Sequence, residues 1–237
     1  DAQLAALADD MPPAAINTGL LGSAGTVAVV ARWVDKLRAH GSVILVVDPV
    51  LGASTGAAFA DDTVLRAYRE LLLPRATLVT PNEREARRLV GEGVGEDAPQ
   101  PLTPALSPNG RGSEQPGSFQ SDAAVLPHLP AGERAGVRGT AHPAPVAVVP
   151  ALAQALRTLG TQAVAITGGD SAQSEGWSLD WIDTPHAAGW LALPRVETKH
   201  THGTGCTFAT SAACAMALGF VAADALVLAK MATTHAL

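Results

Sequence analysis

A chain of 237 residues that is 47% hydrophobic and 16% charged has material for one sizeable α/β domain with a buried core. Its formal net charge is −6 and it has no basic patch or tail, which argues against nucleic acid or a membrane surface as partner. No apolar run reaches the roughly 18 residues of a membrane span, and no charged stretch followed by an apolar run marks a secretory signal. The two cysteines, Cys206 and Cys214, fall on one expected helix where a disulfide is hard to close, a pattern that suits a reducing cytoplasm.

Taken in chain order, residues 1–11 read as the end of a helix, and Ala14–Gly19 as a short apolar strand running into a glycine turn. Ser23–His40 carries Val27, Val30, Val34 and Leu37 at helical spacing, with Ser23 as N-cap. Ser42–Val47 is a continuous apolar run, as in a strand buried on both faces of a parallel sheet, and Asp48-Pro49 stops it. Asp62–Leu73 reads as a helix, Ala76–Thr80 as a strand closed by Pro81, and Glu83–Val90 as a helix. Beyond the next segment come a helix at Val148–Leu159 and a strand at Ala163–Thr167, then a hairpin of Trp177–Asp183 with Gly189–Pro194. Helices at Thr207–Leu218 and Ala222–His235 complete the chain. Alternating strands and helices indicate an open, mostly parallel α/β sheet with ligands at the carboxyl ends of its strands.

The segment from about Gly91 to Pro145 breaks this order. It has no sustained periodicity and is dense in Pro, Gly and Ser, so residues 92–145 read as a disordered insertion in a single domain spanning 1–237. Codons can be chosen for Pro101–Pro108 (PLTPALSP) whose reverse complement encodes Gly132–Gly139 (GERAGVRG). The two stretches thus read as opposite arms of a DNA inverted repeat and resemble translated dispersed palindromes of bacterial genomes. On that reading Arg111, Arg134 and Arg138 carry no selected function.

The densest chemical signal is His202–Phe208, HGTGCTF, at the start of an apolar helix. Glycines allow backbone N–H groups to approach an anion, and a helix N-terminus adds unbonded donors and a positive dipole end. Such a nest suits the oxygens of a phosphoryl group in transfer. Asn82 and Glu85 offer hard oxygen atoms at i and i+3, which fits Mg²⁺ held partly through water, although an acid is also common in the first turn of a helix. Asp48, at a strand's carboxyl end, is a second metal-region candidate or a turn cap. Cys214, two turns beyond Cys206, reads as core.

Thr198–Phe208 (TKHTHGTGCTF) resembles the C-terminal signature of the hydroxymethylpyrimidine/phosphomethylpyrimidine kinases of thiamine biosynthesis, members of the ribokinase-like superfamily. Asp48-Pro49-Val50, Thr80-Pro81-Asn82 with Glu85, and Asn17–Ser23 (NTGLLGS) resemble that family's other motifs in order, Asn17 standing where Lys is usual. The resemblance covers residues 1–95 and 147–237. It implies that a hydroxymethylpyrimidine hydroxyl attacks the γ-phosphorus of ATP, and that the monophosphate is phosphorylated in a second round. It implies a catalytic loop of Gly203, Thr204, Gly205 and Cys206, in which Cys206 stands where ribokinase relatives carry an aspartate base and acts as a thiolate base or as a hydrogen-bonding positioner. It further implies nucleotide contacts at Thr80, Asn82, Thr167, Gly169, Lys199 and His200, and Mg²⁺ organised by Asp48, Asn82 and Glu85. Thr167 and Asp170 stand where the family carries Lys and His around a Gly-Gly pair.

The resemblance also implies a homodimer and an opening strand, a Gly-rich stretch and an acid-bearing helix that are not found ahead of Asp1. The expected fold therefore lacks its first strands, and the chain is expected to be poorly stable alone or to need a partner. A catalytically dead, nucleotide-binding remnant is the alternative to an active kinase. Cys206 in place of aspartate argues against a pyridoxal-kinase-like enzyme.

Overall fold

The computed structural model describes residues 1–52, 59–91, 148–168 and 176–237. The expected insertion at 92–145 and Gly169 lie outside the described residues. Helix α1 (Ala2–Asp10) is followed by strand β1 (Ala15–Thr18), α2 (Ala24–Arg38), β2 (Ile44–Val47), α3 (Asp62–Ala67), β3 (Leu78–Val79) and α4 (Glu83–Val90). Then come α5 (Val148–Thr158), β4 (Val164–Thr167), the hairpin of β5 (Trp177–Asp183) and β6 (Ala188–Pro194), and the helical pair α6 (Thr204–Ala217) and α7 (Ala222–His235).

The strands form one sheet in the order β1-β2-β3-β4-β5-β6. The first four are parallel and the last two join antiparallel. Because each parallel strand is added on the same side of its predecessor, right-handed crossovers put α2, α3, α4 and α5 on one face. Side-chain alternation divides the core accordingly. Leu45, Val47, Val79, Val164 and Ile166 pack under those helices, whereas Val46, Leu78, Ala163 and Ala165 pack under α6 and α7. The register sets Thr18 opposite Val47 and Val47 opposite Val79, so the carboxyl ends of the first three strands are level. In the hairpin, Trp181 pairs with Trp190 edge to face, with ring centroids 5.3 Å apart.

Two expected helices differ from the sequence reading. The stretch 62–73 is regular only to Ala67; a π turn (Tyr68–Leu72) and a 3₁₀ turn (Leu73–Arg75) finish it. Pro74 has no N–H to continue the ladder, and its ring excludes the carbonyl four residues back, so the helix must change pitch before it. The wider turn keeps Tyr68, Leu72 and Leu73 buried. Helix α6 starts at Thr204, not Thr207, because Gly203 at φ 88° turns the chain in the left-handed region and its carbonyl accepts the Thr207 N–H at 2.8 Å.

Helix α6 lies close on the sheet because its inner face is mostly alanine: Ala209, Ala212, Ala213 and Ala215 are buried with Phe208 and Met216. Ala212, with no exposed surface, is a test of that closeness. Ala212→Leu is expected to lower stability to urea by about 1–3 kcal/mol through overpacking, and an unchanged midpoint would show that the helix sits loosely.

Candidate active site

The carboxyl ends of the parallel strands and the N-terminus of α6 meet at one edge of the sheet. Gly203 is the N-cap of α6 and no side chain caps its first turn; the Thr204 N–H donates to the Thr201 carbonyl at 3.4 Å, and the next amides have no partner within the helix. The Thr204 hydroxyl donates to the Thr201 carbonyl at 2.9 Å and holds the loop before the helix. Cys206, in this first turn, comes close enough to the Asp48 carboxylate just beyond β2 for each to shift the other's ionisation. Beside it an open cleft of about 340 Å³ is lined by Cys206, Thr207, Thr210 and Ser211. Asn17 on β1 donates to Thr210 Oγ1 at 3.0 Å and ties the edge strand to the same helix.

Burial raises the pKa of Asp48, and the Cys206 hydrogen bond only partly offsets it. The Cys206 thiol is also pushed up, by burial first and then by the Asp48 charge and hydrogen bond. The helix end alone would favour a thiolate; the adjacent carboxylate opposes it, so the thiol is protonated at neutral pH.

Asn82 and Glu85 form a reciprocal capping box at the start of α4. Asn82 Oδ1 accepts the Glu85 N–H at 2.9 Å, and Glu85 Oε2 accepts the Asn82 N–H at 3.0 Å. Glu85 Oε1 accepts the Leu51 N–H at 3.2 Å, which fixes the chain beyond Asp48. Burial pushes the Glu85 carboxyl up, and these amides and Arg88 pull it partly back while Asp48 adds to the rise. Arg88 donates to the carbonyls of Leu51 (2.8 Å) and Ala60 (2.6 Å), bracing both ends of that connection.

The other expected site residues are distributed unevenly. Thr80 is buried, and its N–H and hydroxyl both donate to the Val47 carbonyl, so its side chain is turned into the sheet. Thr167 closes β4 beside Asn82 through an isolated parallel bridge, its N–H donating to the Pro81 carbonyl at 2.9 Å. Lys199 and His200 are exposed on the approach to the α6 loop. Cys214 is exposed, not core: the buried face of α6 runs through Ala212, Ala213, Ala215 and Met216, and Cys214 falls outside it.

Sequence reasoning missed three polar groups. The hydroxyls of Thr18, at the end of β1, and Tyr68, in the π turn, are buried with no hydrogen-bond partner among the described residues. Tyr68 lies within the influence of Asp48 and Glu85, whose charges add to burial in pushing its pKa well up. The third is the buried pair of Lys230 and Asp180, whose atoms approach to 2.6 Å. A lysine inside the apolar run of α7 was the one signal available for it.

If the Tyr68 hydroxyl is an unmet buried donor in the ligand-free protein, Tyr68→Phe removes its desolvation cost. Equilibrium urea unfolding is expected to give equal or higher stability, by up to about 1 kcal/mol. A loss larger than that would show a partner for the hydroxyl.

Comparison with known proteins places this geometry in a family. The sequence model described as phosphomethylpyrimidine kinase matches residues 1–101 and 140–237. A hydroxymethylpyrimidine/phosphomethylpyrimidine kinase of Synechococcus elongatus is 32% identical over 236 residues, covering 100% of this chain and 69% of the relative. One from Bacillus subtilis is 28% identical over 88% of this chain and 58% of its own length. The chain thus spans roughly three-fifths to two-thirds of these relatives. In fold it is similar to a Bacillus subtilis pyridoxal kinase solved with ADP, at a TM-score of 0.66 and 23% identity, covering 97% of this chain and 67% of that one. Its mixed sheet flanked by helices is the ribokinase-like fold, and the chain belongs to the phosphomethylpyrimidine kinase family.

Proposed function

We propose that the chain is an ATP-dependent kinase that phosphorylates 4-amino-5-hydroxymethyl-2-methylpyrimidine and then its monophosphate. The observation that carries the reading is the uncapped N-terminus of α6 set against the Cys206–Asp48 pair. Phosphoryl transfer asks a protein mainly for positioning and charge stabilisation. The amides of Gly205 and Cys206 offer that for the transferring group, and Lys199 and His200 stand on the approach to it. In the step, the substrate hydroxyl oxygen bonds to the γ-phosphorus, the bond to the β-phosphate oxygen breaks, ADP leaves, and the hydroxyl proton passes to an oxygen of the transferred phosphoryl group.

Cys206 acts as a neutral positioner. Its S–H is directed to Asp48, and its sulfur lone pair is left to accept from the substrate hydroxyl, orienting that oxygen toward the phosphorus. A thiolate base is disfavoured by the same carboxylate.

Among the described residues no group of three or more His, Cys, Asp or Glu side chains could hold a metal ion. The donor set instead fits Mg²⁺ shared with phosphates: Asp48 and Glu85 are hard carboxylates, the first buried and the second half-buried, and Mg²⁺ commonly takes one or two of these and completes its shell with water and phosphate oxygens. Asp48, Asn82 and Glu85 would hold it, and when bound it neutralises charge on the nucleotide. Each Glu85 oxygen already accepts one amide, so its approach is fixed by α4. Gly169 and Thr167 complete the proposed nucleotide contacts.

Residues 92–145 are read as an insertion in a single domain; the family model leaves 102–139 unmatched and matches the stretches on either side. No helix among the described residues is long and apolar enough to cross a membrane. A cytoplasmic homodimer completes the reading.

The test is ADP release by the purified chain with ATP, Mg²⁺ and the hydroxymethylpyrimidine. Turnover is expected, whereas nucleotide binding without turnover would overturn the reading in favour of an inactive module. Cys206→Ser is expected to keep kcat within about tenfold, and Cys206→Ala to lose about 100-fold or more. A serine variant as inactive as alanine, together with a wild-type rate that follows thiol ionisation, would make Cys206 the base.

A further inference from the structure

Lys230 and Asp180 lie on the α6–α7 face of the sheet. Lys230 is 5% exposed and Asp180 also 5%. The lysine Nζ donates to Asp180 Oδ2 at 2.6 Å and to Ser178 Oγ at 3.2 Å. The other carboxylate oxygen, Oδ1, accepts the backbone N–H of Gly168 at 3.0 Å. A buried ion pair brings little net stability over a well-packed apolar pair, because both charges must leave water. What it adds is direction, since each carboxylate oxygen is committed to a different element.

Those elements are the two sides of the proposed phosphate site. Gly168 follows Thr167 at the carboxyl end of β4, and Thr167 is bridged to Asn82. Gly168 sits so close to β5 that a Cβ there would fall 2.2 Å from the Leu179 carbonyl oxygen, so the end of β4 is held at this residue. Lys230 belongs to α7, whose Ala225, Leu226 and Ala229 pack with Phe208, Ala209 and Ala212 of α6. The first turn of α6 carries the anion loop.

We propose that Asp180 and Lys230 are positioning residues for nucleotide: the carboxylate fixes the Gly168 amide, and the lysine fixes that carboxylate to the α6–α7 hairpin. The distance between Gly168 and the loop at Gly203–Cys206 is thereby set across the sheet. The inference rests on the kinase reading for the identity of the ligand.

Two charge-free double variants isolate the Gly168 contact. Asp180→Asn with Lys230→Met keeps an oxygen that can accept from Gly168 and fills the lysine's space. Asp180→Leu with Lys230→Met has similar volume but no acceptor. Affinity for a non-hydrolysable ATP analogue with Mg²⁺ is measured by titration calorimetry at 10 °C, on protein with wild-type circular dichroism. The pyrimidine is titrated separately.

The Asn/Met double is expected to bind the analogue within about threefold of wild type and the Leu/Met double about tenfold more weakly, with pyrimidine affinity unchanged in both. Equal analogue affinity in the two doubles would overturn the proposal. So would equal weakening toward both ligands, or a Leu/Met protein that fails to fold where Asn/Met folds, since either would give the pair a merely structural role. Analogue binding that follows this pattern without turnover would leave the positioning role standing and remove the kinase reading. Turnover with indifferent doubles would do the reverse.

Discussion

The close seating of α6 on the sheet determines the site. Strand residues alternate between two helical layers, and the layer under α6 is built from small side chains: Ala163 and Ala165 below, Ala209 and Ala212 above. Small residues on both sides bring the helix axis near the strands and carry its first turn over the end of β2. Asp48 and Cys206 then meet although they are distant in the chain. The left-handed Gly203 completes the arrangement by letting the chain enter the helix without a side-chain cap, so that the amide donors of the first turn remain available.

Charge is distributed so that the site resists ionisation of the wrong group. Asp48, the half-buried Glu85 and the Tyr68 phenol lie near one another, and each is displaced upward by its desolvation. The carboxylates are the cheaper groups to ionise, and their charge holds the thiol and the phenol protonated. A cation arriving with nucleotide would relieve the crowding of negative charge. The acidic pair is therefore better suited to a loaded site than to an empty one, and its amide bonds from Asn82 and Leu51 keep Glu85 in place meanwhile.

Much of this edge was legible in the sequence because its features are local. A strand that stops at Asp-Pro, a Pro-Asn turn with an acid three residues on, and a glycine pair before a helix each state their geometry within a few residues. Asp48, Asn82, Glu85 and Gly203–Cys206 accordingly fall where those patterns put them. Features that depend on distant partners were not legible. Helix α6 is small and apolar nearly all round, so no period distinguished the exposed Cys214 from the buried Ala213. Tyr68 reads as an ordinary apolar helix position until Pro74 forces the π turn that buries its hydroxyl. Thr80, set in a nucleotide motif, spends its hydroxyl on the β2 carbonyl beside it.

Lys230 and Asp180 show the same limit, since the pair is 50 residues apart and joins a hairpin to the last helix. Apolar contacts alone could hold α7 there, as Ala225, Leu226 and Ala229 do. Such contacts are non-directional and tolerate a small slide or rotation of the helix. A lysine with two defined acceptors does not, and the carboxylate it holds is also engaged to the Gly168 amide. A phosphoryl group in transfer is sensitive to displacements of about 1 Å. The two sides of the proposed binding edge come from parts of the chain whose shared core is mostly alanine, which offers few interlocking shapes to fix their relative position. A directional polar cross-link supplies the register that this smooth packing does not.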